Sequence, residues 1–172
     1  MKTRYLLMLI VALVFSVPTM AQKLSKEEKA AKQEKAFQET KALIESKHFQ
    51  IDIDRVYPQS GHDVSRFNPK GKITITDSLA KGNLPFFGRA YSLPYGEGGG
   101  IEFDGPIKEQ SVKLIEKKKK KAVLYNFTVT GKNDTYQLSI EVAPGGGCTV
   151  NLASNNRTQI SYSGTVTPLE EK

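Results

Sequence analysis

From Val123 to Val166 the chain alternates apolar and polar residues with few interruptions, and that pattern admits few folds. Val123, Tyr125, Phe127 and Val129 alternate with mostly polar neighbours. Tyr136, Leu138, Ile140 and Val142 do so against Gln137, Ser139 and Glu141, and Ile160, Tyr162 and Val166 stand opposite Ser161, Ser163 and Thr165. Successive strand side chains point to opposite faces, so a period of two predicts antiparallel strands with one dry face and one wet. The connections Gly131-Lys132-Asn133-Asp134, Pro144-Gly145-Gly146-Gly147 and Ser154-Asn155-Asn156-Arg157 are short and rich in residues that tolerate positive φ. None leaves room for a crossover helix, so residues 122–166 are expected to form a meander of about four strands.

The same period appears earlier. Phe49, Ile51 and Ile53 alternate with Gln50, Asp52 and Asp54, and Ile73 and Ile75 alternate with threonines. Ahead of them, Ser25-Lys26-Glu27-Glu28 has the form of a capping box, and from there to about Lys47 the chain has no Gly or Pro. Ala36, Phe37, Thr40, Leu43 and Ile44 fall on one helical face, while the first half of the segment is polar all round. The expected fold is α+β, mostly β. A charged N-terminal helix (22–47) precedes an antiparallel β domain (48–172), a curled sheet or open barrel-like meander of about eight strands. Helix and sheet are expected to share one domain.

Residues 1–21 read as a cleavable secretory signal peptide. Lys2 and Arg4 precede an apolar or small-residue run from Tyr5 to Val17, and Thr19 and Ala21 are the small residues that a signal peptidase reads. The run falls short of the ~20 apolar residues needed to span a bilayer. With Gln22 rather than Cys at the cleavage point, no lipid anchor is expected. The expectation is an exported protein, periplasmic or in the envelope, soluble and without a permanent membrane span.

Residues 1–21 hold two basic and no acidic residues, so the remaining chain has 23 basic against 18 acidic, a net +5. In that compartment this charge points to anionic envelope components or glycans, or simply to solubility. No nucleic-acid partner is expected. Lys117 to Lys121 is a five-lysine run whose self-repulsion predicts an exposed hairpin turn, with polyanion binding as the other reading. Cys148, the single cysteine, cannot form an intramolecular disulfide. It shares an apolar face with Val150 and Leu152 and reads as a buried small hydrophobe.

No catalytic, metal or cofactor motif emerges. His48 and His62 are the two histidines, and neither has a patterned Ser or Cys partner or the spacing of a zinc site. Asp52 and Asp54 sit two apart on a strand and read as part of its wet face. Asp77-Ser78-Leu79 resembles the three-residue acceptor for protein O-glycosylation in Bacteroides-type bacteria, with Ser78 as the attachment point.

In Leu84–Gly105 the alternation breaks down, and Phe86, Phe87, Tyr91, Tyr95 and Phe103 crowd among prolines and glycines. Such a segment either plugs the open end of a sheet or lines a mouth. Its glycines lead into a further strand rather than a helix, which argues against a phosphate loop. Tyrosine rings suit stacking, and Arg89 offers a fork of donors to a carboxylate or phosphate. Arg89, Tyr91 and Tyr95 are therefore the candidate ligand-binding residues.

Four stretches carry a resemblance. They are Leu84–Tyr91, the Gly-Gly-Gly-Ile-Glu-Phe-Asp-Gly ending at Gly105, Asn133-Asp134-Thr135-Tyr136, and Ser154–Gly164. Together they resemble domain-of-unknown-function family 4251, exported proteins of Bacteroides-type Gram-negative bacteria. The resemblance implies a periplasmic or envelope location and brings no activity, cofactor or site residue with it. Three functions stay open: a non-catalytic binding protein for an envelope ligand or glycan, a structural or protein-interaction component of the envelope, and an unrecognised hydrolase.

Overall fold

The computed structural model describes residues 25–60, 64, 70–91, 99–117, 120–132 and 134–169. The expected signal peptide lies outside them. By internal contact the chain divides into two units, one up to Ala31 and one from Lys32 onward. In the first, the Glu28 amide donates to Ser25 Oγ (3.1 Å) and the Ser25 amide to Glu28 Oε2 (2.7 Å). Both ends of the capping box are thereby satisfied, and helix α1 (Lys26–Ser46) starts where the sequence indicates.

In the second unit, Phe37, Thr40 and Ile44 are the buried residues of α1, and Phe37 and Ile44 join the hydrophobic core. Buried Thr40 returns its hydroxyl to the Ala36 carbonyl at 2.8 Å, so no polar group is stranded. Lys121 ties the helix to the sheet twice: it pairs with Glu34 and lies 5.4 Å over the Phe37 ring. The helix ends at Lys47, which takes a φ of 55°.

Eight strands follow: β1 (His48–Pro58), β2 (Gly71–Thr76), β3 (Leu79–Leu84), β4 (Ile101–Lys117), β5 (Lys120–Thr130), β6 (Thr135–Val142), β7 (Gly147–Ser154) and β8 (Ile160–Pro168). Each pairs antiparallel with the next, and β1 also pairs with β8, from Phe49↔Pro168 to Pro58↔Ile160. The meander is therefore a closed barrel. Closure gives the first and last strands, β1 and β8, each a second neighbour.

The interior is filled. Phe49, Ile51, Ile73, Ile75, Tyr125, Phe127, Leu138, Ile140, Val150, Leu152, Ile160 and Tyr162 are buried. An eight-stranded barrel is just wide enough for side chains to pack it. The Phe49 ring meets Tyr125 edge-on, with centroids 6.2 Å apart.

Two features bear on the sites below. The β3–β4 pairing ends at Leu79↔Pro106, whereas β4 continues beside β5 to Lys117↔Lys120. The β4–β5 register slips between Lys108 and Ser111, where Glu109 takes a φ of 51°. That slip is a bulge, which bends the wall.

Candidate functional site

The described parts of the glycine-aromatic segment, residues 84–91 and 99–105, leave β3 and enter β4 at the barrel end where Leu84 pairs with Ile101. Tyr162, buried in the core, donates its hydroxyl to the Pro85 carbonyl at 3.0 Å. Beyond Pro85 the chain pairs with the β7–β8 connection. The Thr158 amide donates to the Arg89 carbonyl (3.0 Å), the Arg89 amide to Thr158 Oγ1 (3.2 Å), and the Tyr91 amide to the Asn156 carbonyl (2.8 Å). Gly88 permits this approach, because a Cβ there would strike Thr158 Oγ1 and the Phe86 ring.

Beneath this ladder sits Arg157, 7 % exposed. Its guanidinium stacks 5.1 Å from the Phe86 ring centroid, and Nη1 donates to the Gly99 carbonyl at 3.3 Å. Asp134, 8 % exposed, accepts from the Thr135 amide (2.8 Å) and Asn156 Nδ2 (3.4 Å). Burial raises the Tyr136 hydroxyl above its ordinary pKa. The Arg157 charge pulls it back, and Asp134 and Glu102 push it further up. Arg157 Nε and Asp134 Oδ2 are buried without a partner, so this end holds polar groups that the fold alone does not satisfy.

On the surface above lies an open depression of about 380 Å³, where Pro58 and Gln59 face Phe87, Arg89, Tyr91 and Thr158. Two of the three candidate binding residues, Arg89 and Tyr91, stand on its rim. Both are exposed, Tyr91 by 68 %. Tyr95 lies outside the described residues. Phe86 and Phe87 are both half-buried and pack against the core, and Phe87 also lines the depression.

The remaining candidates are dispersed. His48 Nε2 lies 3.0 Å from Asp77 Oδ1 on the surface, and His62 is outside the described residues. Asp52 meets Lys72 at 3.5 Å, as a solvated strand face does. No group of acidic, His and Cys side chains among the described residues could hold a metal. Lys120 pairs with Glu141 at 2.7 Å and Lys121 with Glu34, so two of the five lysines neutralise nearby carboxylates. Lys118 and Lys119 lie outside the described residues. Ser78 is exposed in the β2–β3 turn, its carbonyl accepting from the Ile107 amide at 2.7 Å.

Asp134, Tyr136, Arg157, Pro85, Phe86 and Gly99 come from stretches far apart in sequence, yet they meet at one barrel end. Residues 31–166 match the profile of the domain of unknown function DUF4251. The chain belongs to the DUF4251 family. A DUF4251 family protein from Bacteroides eggerthii DSM 20697, solved at 1.95 Å, has a similar structure. The TM-score is 0.53 at 18 % identity, over 80 % of this chain and 91 % of that one, a likeness of fold. No curated protein matches the chain. The DUF4251 match takes in most of α1 and nearly all of the barrel. Sequence reasoning did not single out Arg157. Its only signal was its place in one of the stretches that resemble DUF4251 proteins.

Proposed function

We propose that this protein is exported, loses residues 1–21, and acts in the periplasm or envelope as a non-catalytic binding protein. Its ligand is an envelope component or glycan with an acidic group, held at the barrel mouth by Arg89, Tyr91 and Tyr95. One observation carries the reading: with the barrel interior filled, the exposed Arg89 and Tyr91 side chains share an open depression. A guanidinium beside an aromatic ring offers paired donors to a carboxylate or phosphate and a stacking face to the group that bears it. Arg157 and Tyr162 hold the underlying segment in place, so the rim is built on the core rather than on a free loop.

The test compares wild type with Arg89→Ala, Tyr91→Ala and Tyr95→Ala proteins, all recovered from the native host. Retained glycan and lipid are read by mass spectrometry, and thermal stability is measured in parallel. Lost retention at unchanged melting temperature is the expected result. Large stability losses at all three positions, with nothing captured by wild type, would make the segment a structural plug. The intact mass of the exported protein should begin at Gln22, and a mass that still includes residues 5–17 would contradict processing. Ser78→Ala tests the glycosylation site: native-host protein should lose a glycan's mass, not merely one oxygen.

A second reading, an interaction component of the envelope, has its own support. Beyond Pro106, β4 pairs with β5 alone among the described residues, and Val112 and Leu114 on that stretch are each 40 % exposed. An unpaired strand edge can accept a strand from another chain.

A further inference from the structure

The outer face of β4–β8 carries a regular chemical pattern. Following the register from strand to strand, Ser111 stands opposite Asn126, Asn126 opposite Ser139, Ser139 opposite Asn151, and Asn151 opposite Ser161. The result is a Ser-Asn-Ser-Asn-Ser row running across five strands. A second row, Thr128, Gln137 and Ala153, lies beside it. Between the two rows the surface sinks into a depression of about 380 Å³, whose members include Asn126, Thr128, Gln137, Ser139, Asn151 and Gln159.

The β4 bulge supplies one bank of this depression. Glu109, in the left-handed region with a φ of 51°, stands among its lining residues and accepts from Thr128 Oγ1 at 3.3 Å. Two other non-glycine residues with positive φ, Lys47 and Asp77, sit at a helix end and in a hairpin turn, where that conformation is ordinary. Glu109 takes it at the β4 bulge, a feature over-represented next to functional sites.

The chemistry of the surface is specific. Among the described residues, Glu109 is its one ionisable lining residue, in a chain with 25 basic and 18 acidic residues. Of the row itself, Ser161 Oγ donates to Asn151 Oδ1 at 2.6 Å, and Asn126 Nδ2 reaches Ser111 Oγ at 3.4 Å. Among the described residues, the side chains of Gln137, Ser139 and Gln159 make no hydrogen bond. A carboxamide presents a donor and an acceptor side by side, which matches the adjacent hydroxyls of a sugar ring. Strands repeat every ~4.8 Å, about the length of one ring, so a linear chain of sugars laid across the strands meets similar partners at each step.

We infer that this wall is a binding surface for a neutral oligosaccharide lying across β4–β8. It is separate from the barrel mouth, and it selects by hydrogen bonding rather than by charge.

The test is an NMR titration of the labelled exported protein with cellohexaose, xylohexaose and chitohexaose, and with hexagalacturonate as the anionic comparator. At least one neutral hexamer should shift the side-chain amide signals of Asn126, Gln137 and Asn151 saturably, more tightly than hexagalacturonate does. Ser139→Trp fills the depression from its solvent side and should weaken binding by at least about tenfold, the effect of ~1.4 kcal/mol. Gln137 is exposed, so Gln137→Ala leaves the core untouched and decides the matter should the Trp variant fail to fold. It should weaken binding severalfold at unchanged melting temperature. Arg89→Ala should leave the neutral sugar's affinity as in wild type, which separates this surface from the mouth. The inference is overturned if no neutral hexamer at millimolar concentration moves those three amides. It is overturned equally if folded Ser139→Trp and Gln137→Ala bind as wild type does, or if Arg89→Ala abolishes the effect.

Discussion

Cys148 lies opposite Gly164 across the β7–β8 pairing, 6 % exposed. Burial pushes its thiol from 9.0 up to about 12, with a smaller push from Asp54, against a lowering bond from the Gly164 backbone. Burial also raises the Tyr162 hydroxyl well above its ordinary 10.0. Both groups stay protonated in the folded chain at a pH where the unfolded chain ionises. Since the native state then holds more protons, stability is fully present below about pH 9 and falls as pH climbs toward 12. Denaturant midpoints across that range should decline, and Cys148→Ala should remove part of the slope. Alkylating reagents at neutral pH should leave the native thiol unmodified and label it only after unfolding. Gly82 is a second residue whose role is steric. A Cβ there would enter the Phe103 ring, so Gly82→Ala should destabilise by about 1–3 kcal/mol through overpacking, read as a lowered denaturant midpoint.

At the scale of elements, the capping box and the β5–β8 meander were legible because local signals and packing agree there. The Ser25–Glu28 reciprocity needs only adjacent residues, and the dry side chains from Val123 to Val166 all reach the core. β3 was less legible: Leu79-Ala80-Lys81-Gly82-Asn83-Leu84 buries Ala80, Gly82 and Leu84, and a glycine facing the core carries no apolar signature. The bulge in β4 was hidden too, since only pairing across strands reveals the slip at Lys108–Ser111. Truncations test the packing of each element. Leu138→Ala and Ile160→Ala should each cost ~2–5 kcal/mol, and Phe37→Ala ~3–5 kcal/mol if the helix seals the core as its burial indicates. Chemical denaturation of the three variants checks this, and an unmoved midpoint for Phe37→Ala would detach α1 from the cooperative unit.

For the whole molecule, sequence reasoning found the segment over the barrel mouth but not its foundation. Crowded aromatics and glycines flagged Arg89 and Tyr91 directly. Arg157 and Asp134 looked like ordinary turn residues, because nothing local says that a loop arginine will be buried against Phe86 from another stretch. The outer Ser–Asn row was invisible for a related reason: it exists only once five strands are in register.

Closure has a kinetic consequence. Seven of the eight strand pairings join neighbours in sequence, and the eighth joins the first strand to the last. Hairpins form in microseconds, whereas a contact between distant parts of the chain must first overcome the entropy of a long loop. The β1–β8 seam should therefore zip late, and its loosening should be an early step in unfolding. Gly164, where any Cβ would strike the Asp52 main chain, sits on that seam. A substitution there should shorten the lifetime of the folded state more than it slows folding, because a late-forming contact contributes little to the folding transition state.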